Sequence, residues 1–230
     1  MTQIRLVLAF LCIILFCKCE KDSVSYLSDY DYYPVSIGQY QIFEVSESFY
    51  AISSPPKHLK YYIKEQISDY YENPMQEKIY KIERFKKQTI EQSWKIDSVW
   101  TAQLLTNKAL RTENNSTVVK LYFPIQTGQF WNKNELNSSP SQKVSYQDKG
   151  NDFKIDAKVY QNTVSVVIKN DSSLISKNSN FEIYAPILGL IYSENKNLAY
   201  CQSTPSCVGK GQIDYGTIKK MKRIEIGQEF

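Results

Sequence analysis

Histidine occurs once in 230 residues, as His58, and the eight glycines come close together only in G-K-G at Gly209 to Gly211. These scarcities exclude whole classes of chemistry. There is no H-E-x-x-H and no G-x-S-x-G, so neither a zincin helix nor a nucleophile elbow is present. A zinc centre needs three or four soft ligands, and too few remain once Cys12 is assigned to a leader, Cys17 or Cys19 to a lipid and Cys201 with Cys207 to a disulfide. A phosphate cradle needs several glycines at a strand-to-helix turn, and G-K-G reads as a loop. His58, within S-S-P-P-K-H-L-K, reads as a surface residue. Asp97 could face Glu91 or Glu83 across strands, but among 24 acidic residues such a pairing points to no chemistry. Charge of one sign is also lacking: 28 basic residues against 24 acidic ones leave +4, too small and too evenly mixed for a nucleic-acid ligand. In the densest basic run, K-K-M-K-R at 219–223, the charges alternate with Ile218, Met221 and Ile224, as on the exposed face of a strand.

No stretch carries a helical apolar stripe. What is abundant is aromatic and β-branched: 18 Tyr and 10 Phe stand beside many Val, Ile, Thr and Ser, residues that suit a pleated, half-buried surface. Alternation is clearest in W-K-I-D-S-V-W, where Trp94, Ile96 and Ser98 share one face. A-L-R-T-E and T-V-V-K-L-Y-F around Asn114, Asn115 and Ser116 predict a hairpin. F-K-I-D-A-K-V-Y and T-V-S-V-V-I-K predict another, with a two-residue turn at Gln161 and Asn162. Counting such runs predicts ten to twelve strands joined in sequence order. The Asn/Ser-rich segment 132–142 is an exposed loop between strand runs of similar length and spacing, so residues 34–230 read as a single β-rich domain.

The first residues read as a targeting segment. Arg5 precedes an apolar run, Leu6 to Phe16, that is too short to span a bilayer and suits a secretory leader. The sequence then turns to C-K-C-E-K-D, which resembles a bacterial lipoprotein signal in which a cysteine is lipidated and becomes the mature terminus. Cys17 is the favoured anchor and Cys19 the alternative, although Phe16 and Lys18 stand where a lipobox has a small residue. The expectation is a signal peptide over 1–16, a flexible tether over 17–33, and a net charge of +3 once Arg5 is removed.

One short pattern recurs. P-V-S-I-G-Q-Y-Q begins at Pro34 and P-I-Q-T-G-Q-F-W at Pro124, with a looser A-P-I-L-G-L-I-Y around Pro186. In each, Pro fixes φ and withholds a donor, and Gly38, Gly128 or Gly189 supplies a backbone conformation that other residues resist. The pattern is read as a turn: Phe123 closes a strand, Pro124 to Gly128 reverses the chain, and Phe130 and Trp131 anchor the return in the core. The flanking similarity is too thin to support a duplication. Cys201 and Cys207, in C-Q-S-T-P-S-C, are spaced for a local disulfide that staples a loop, and this agrees with an oxidising compartment.

The strings D-Y-Y-P-V-S-I-G-Q-Y-Q-I-F-E-V, W-K-I-D-S-V-W-T-A-Q-L, N-N-S-T-V-V-K-L-Y-F-P-I-Q-T-G-Q-F-W-N and F-E-I-Y-A-P-I-L-G-L-I-Y-S-E, in that order, resemble a family of uncharacterised Bacteroidetes lipoproteins. The strand pattern of that family is similar to the carriers LolA and LolB. The resemblance implies a curled antiparallel sheet, a half-barrel of about 10–12 strands with little helix. It maps no catalytic residue onto the chain. It also gives D-S-V a meaning, since the pattern matches the Bacteroidetes O-glycosylation acceptor, with Ser23 and Ser98 as the sites. Three functions follow. The favoured one is a non-enzymatic outer-membrane lipoprotein, periplasmic or surface-exposed, without cofactor or metal, binding a hydrophobic ligand, a glycan or a partner protein through the curled sheet. The alternative is an accessory subunit of an outer-membrane or secretion complex that binds through its sheet edges. A hydrolase is the least supported.

Overall fold

The alternation of the sequence becomes twelve strands in the computed structural model, which describes residues 27–229. A single 3-10 turn, Asp29–Tyr32, precedes β1 (Gln39–Ala51), β2 (Ser54–Glu72), β3 (Lys78–Lys87), β4 (Lys95–Leu104), β5 (Lys108–Glu113) and β6 (Ser116–Tyr122). The second half comprises β7 (Phe130–Asn132), β8 (Lys143–Ile155), β9 (Lys158–Ser172), β10 (Ser176–Ala185), β11 (Gly189–Tyr200) and β12 (Ile213–Gln228). No α-helix occurs among the described residues.

All twelve strands form one antiparallel sheet, in the order β6-β5-β4-β3-β2-β1-β12-β11-β10-β9-β8-β7. Each strand therefore pairs with its neighbour in sequence, except β6 with β7, and the first and last strands pair in the middle of the sheet. The two edges are β6 and β7, and the sheet curls until they nearly close into a barrel. The seam is sealed by few ladder bonds and several side chains. Val119 N–H donates to the Lys133 carbonyl (2.9 Å), Trp131 Nε1 to the Val119 carbonyl (3.2 Å) and Asn137 Nδ2 to the Thr117 carbonyl (2.7 Å). The Tyr146 hydroxyl accepts from Tyr122 N–H (2.7 Å) and donates to the Tyr122 carbonyl (2.8 Å). Unpaired backbone groups make an edge strand adhesive, and these contacts occupy those of β6.

The main core lies inside this curl and draws on both halves: Ile67, Ile82 and Ala102 pack with Val144, Tyr146, Val164 and Tyr184. Charged groups are buried with it. Glu65 on β2 meets Arg111 on β5 at 2.7 Å and Arg84 on β3 at 3.3 Å, and the two guanidinium groups lie over Trp100 at 4.7 and 4.4 Å.

The recurrent Pro-to-Gly turn introduces β1 and β7, the first strand of each six-stranded half. Gly38 N–H donates to the Ile67 carbonyl of β2 and Gln39 N–H to the Ser36 carbonyl; Gly128 N–H donates to the Tyr146 carbonyl of β8 and Gln129 N–H to the Gln126 carbonyl. Both glycines have positive φ, 80° and 83°. The two turns are thus the same device at equivalent places, whereas Pro186 and Gly189 belong to the β10–β11 turn.

Four expectations are corrected. The hairpin turn lies at Asp156 and Ala157, between β8 and β9, and Asn162 is instead a positive-φ residue inside β9. Asp156, at φ 52°, tolerates the left-handed region that this turn requires. Phe130 is 62% exposed, with Lys143 Nζ 3.9 Å from its ring centre, and only Trp131 reaches the core. Arg223 is buried although it ends the basic run, because a bulge between Ile42 and Phe43 pairs it with Phe43 and skips Ile224. Trp94 precedes β4, and a bulge at Arg84/Phe85 breaks the period of two between Ile96 and Ser98.

Candidate functional site

The inside of the curl offers little room. Its cavity of about 70 Å³ is lined by Gln41, Phe43, Glu65, Arg111, Tyr184 and Leu190, among others. Pockets that take small molecules run from about 300 to 1,000 Å³; this one suits a few waters beside Glu65 and Arg111. Burial pushes the Glu65 carboxyl up, but Arg111, Arg84 and Lys120 outweigh it and hold its pKa below the usual value. Glu182 behaves alike: burial raises it, while Lys120, Lys133 and the Tyr184 hydroxyl bring it down to about 2. These charges are paired and immobile, which suits a structural role.

The outer face is different, and the cause is a bend. Asp148, Gly150 and Asn162 all take positive φ, and the β8–β9 register shifts between Gln147 and Phe153. Both strands therefore turn at the same level, and the hairpin tip folds across the outside of the sheet. There Ile155 and Tyr160 pack on Ile183, Ala185 and Ile191, residues of the face opposite the main core. Asp156 secures the tip to Lys222 on β12 at 2.9 Å, and Lys222 also meets Glu44 on β1 at 3.0 Å.

A trough of about 390 Å³ lies beside the tip, over β11, β12 and β1. Its floor is aromatic: the half-buried Phe153 and Phe181 rings sit 5.5 and 5.9 Å from that of Tyr192. Lys154, Lys220, Lys222, Glu44 and Asp156 stand around it. The Tyr192 hydroxyl donates to Glu194 (3.1 Å), and burial followed by this carboxylate raises its pKa. Glu44 is half-buried; burial raises its carboxyl, but bonds to Lys60 and Lys222 prevail and lower it. A second hollow of about 350 Å³ lies on the other side of the tip and shares Phe153 and Phe181. Apolar rings below and hydrogen-bonding groups around them can hold a ligand with one flat apolar face and a polar edge.

The residues singled out from sequence do not converge on the trough. Cys17, Cys19 and Ser23 lie outside the described residues. Ser98 is in β4, its hydroxyl 3.1 Å from Asp97, which is bound in turn by Arg84 at 2.9 Å. Glu83 pairs with Lys81. His58 is exposed on β2 with its Nδ1 2.9 Å from the Ser48 hydroxyl of β1, and among the described residues no carboxylate hydrogen-bonds its ring. Cys201 and Cys207 are joined as a disulfide with Cα atoms 5.7 Å apart, at the end of the barrel far from the hairpin tip. Sequence reasoning missed the trough because its parts come from β8, β10, β11, β12 and β1. The one local signal was D-K-G-N at 148–151, a turn-like run inside a strand.

No family model matches the chain, and no curated protein matches it. Among solved structures, a candidate lipoprotein from Parabacteroides distasonis aligns over 85% of this chain and 98% of its own, with 10% identity and a TM-score of 0.42.

Proposed function

We propose that this protein is a non-enzymatic lipoprotein of the outer membrane, anchored through Cys17, that binds a glycan in the trough beside the β8–β9 tip. One observation carries the reading: the open trough has an aromatic floor and a charged rim, while the interior of the curl is filled. A sugar ring presents an apolar face to Phe153, Phe181 or Tyr192 and hydroxyls to the lysines and carboxylates of the rim. A hydrophobic ligand held inside the curled sheet is less well supported, since the cavity of about 70 Å³ is too small for a lipid. Docking through sheet edges is also disfavoured, because β-augmentation needs free edge groups and those of β6 are occupied by Lys133, Trp131, Asn137 and Tyr146.

A glycan array probed with the purified protein tests this, with Phe153→Ala and Tyr192→Ala as comparators. Retention of an oligosaccharide by the native protein and its loss in both variants is the expected result. Retention that neither variant alters, or no retained glycan, would overturn the assignment to the trough.

A further inference from the structure

We infer that one end of the barrel rests on the lipid bilayer, its contact formed by Leu27, Tyr30, Ile37, Met75 and Ile187; this orientation rests in part on the anchored reading above. The strands β2, β4, β6, β10 and β12 all run toward this end, so the β2–β3, β10–β11 and Pro124 turns lie at the end where β1 begins. All five side chains are exposed there, Met75 at 80% and Ile187 at 65%. Exposure alone does not choose an end, because Ile52, Leu174 and Val208 are exposed at the other. Two further observations do.

The first is where the chain arrives. The described residues begin at Leu27, at this end, and ten positions separate Leu27 from Cys17. Such a segment reaches at most about 35 Å, so a lipid on Cys17 keeps this end, and not the disulfide end, near the membrane. The second is Ile187. It is a β-branched residue at φ 67°, in an exposed turn where glycine or asparagine is expected. Its N–H donates to the Asp31 carbonyl at 2.7 Å, which ties the turn to the 3-10 turn Asp29–Tyr32. Packing does not require the isoleucine side chain, since it points into solvent. An apolar group held in a strained conformation at the end where the described residues begin is accounted for by a lipid surface that covers it.

Electrostatics direct the contact to neutral lipid. The two acids of the 3-10 turn are already engaged: Asp29 binds Lys149 and the Ile125 N–H, and Asp31 binds the Ser28 N–H. Among the described residues no cluster of free lysines accompanies the five apolar residues, so attachment comes from apolar insertion and persists at high salt.

Residues 27–229 carry the twelve strands and the core described above, so a chain starting at Leu27 serves beside the full-length protein. Both are mixed with phosphatidylcholine vesicles containing a nitroxide-labelled lipid, with a fluorophore on Met75→Cys or, at the opposite end, on Leu174→Cys. Quenching at position 75 and none at 174 is expected in both forms, at high salt as at low. Ile187→Gly should reduce vesicle partitioning of the shorter chain about tenfold while leaving its melting temperature unchanged or higher, a pairing that a merely structural residue would not give. Quenching at position 174, quenching at neither position, or undiminished partitioning of the glycine variant would overturn the inference. Absence of an acyl group on Cys17 by mass spectrometry, with quenching at 75 intact in the shorter chain, would remove the anchor and leave the lipid-facing end standing.

Discussion

Lys120 Nζ on β6 lies 2.6 Å from the Glu182 carboxylate on β10, and the Tyr184 hydroxyl donates to the other oxygen of that carboxylate at 2.6 Å. Across the closed seam these strands are four apart, so the pair joins one half of the barrel to the other. Two buried charges gain little over apolar residues of the same shape, but removing one leaves the other uncompensated. Lys120→Met should therefore destabilise the fold by about 3 kcal/mol in urea unfolding. The double variant Lys120→Met with Glu182→Gln should lose less than the sum of the two single variants, because the stranded charge is gone.

The same carboxylate sets an acid limit. Its folded pKa, about 2, lies below the ordinary value of 4.5, and Glu65 shifts in the same direction. A group whose pKa is depressed by folding contributes stability above its unfolded pKa and loses it as pH falls toward the folded one. Thermal melts should thus be flat from neutral pH to about pH 5 and decline from there toward pH 2. Glu182→Gln should be less stable at neutral pH and show a shallower decline; an equally steep decline would assign the acid sensitivity to other groups.

Gly38 and Gly128 occupy the same turn but are not equally replaceable. Both have positive φ, which disfavours any side chain with a Cβ. A Cβ on Gly38 would also overlap the Glu229 carbonyl, whereas one on Gly128 has nothing within 4 Å. Gly128→Ala should cost about 1 kcal/mol, and Gly38→Ala clearly more, since backbone must shift. Paired denaturation curves decide the order.

How far the sequence could be read depended on whether a feature is local. The strand count, the meander and the Gly38 and Gly128 turns followed from alternation and from residues with restricted backbones. The closure of the sheet did not, because the β6–β7 seam is sealed by Trp131, Asn137 and Tyr146 acting across long separations. The trough stayed hidden for the same reason, and Asn162 was misplaced because a residue that tolerates positive φ marks a bend inside a strand as readily as a turn between strands.

The disulfide is separable from the fold. Cys201 and Cys207 are six positions apart, in a loop at the barrel's end. Closing so short a loop is worth about 2 kcal/mol in the chain-entropy account. Replacing both cysteines with serine should lower the melting temperature by that equivalent and leave the far-ultraviolet circular dichroism unchanged. Loss of the β signal would show that the staple organises more than its own loop.

Tyr146 governs the seam. Its hydroxyl both donates to and accepts from the backbone of Tyr122, in a stretch where β7, only three residues long, does not reach β6 as a ladder partner. Tyr146→Phe keeps the ring that packs 4.6 Å from Trp131 and removes only the oxygen, so one half-buried N–H and one C=O lose their partner. A cost of about 1–3 kcal/mol is expected, with faster hydrogen exchange at the Tyr122 amide. The exposed groups would also make β6 available to a second chain, so light scattering should detect concentration-dependent association in the variant and none in the parent. Association in both proteins to the same degree would mean that the seam is not what keeps this edge closed.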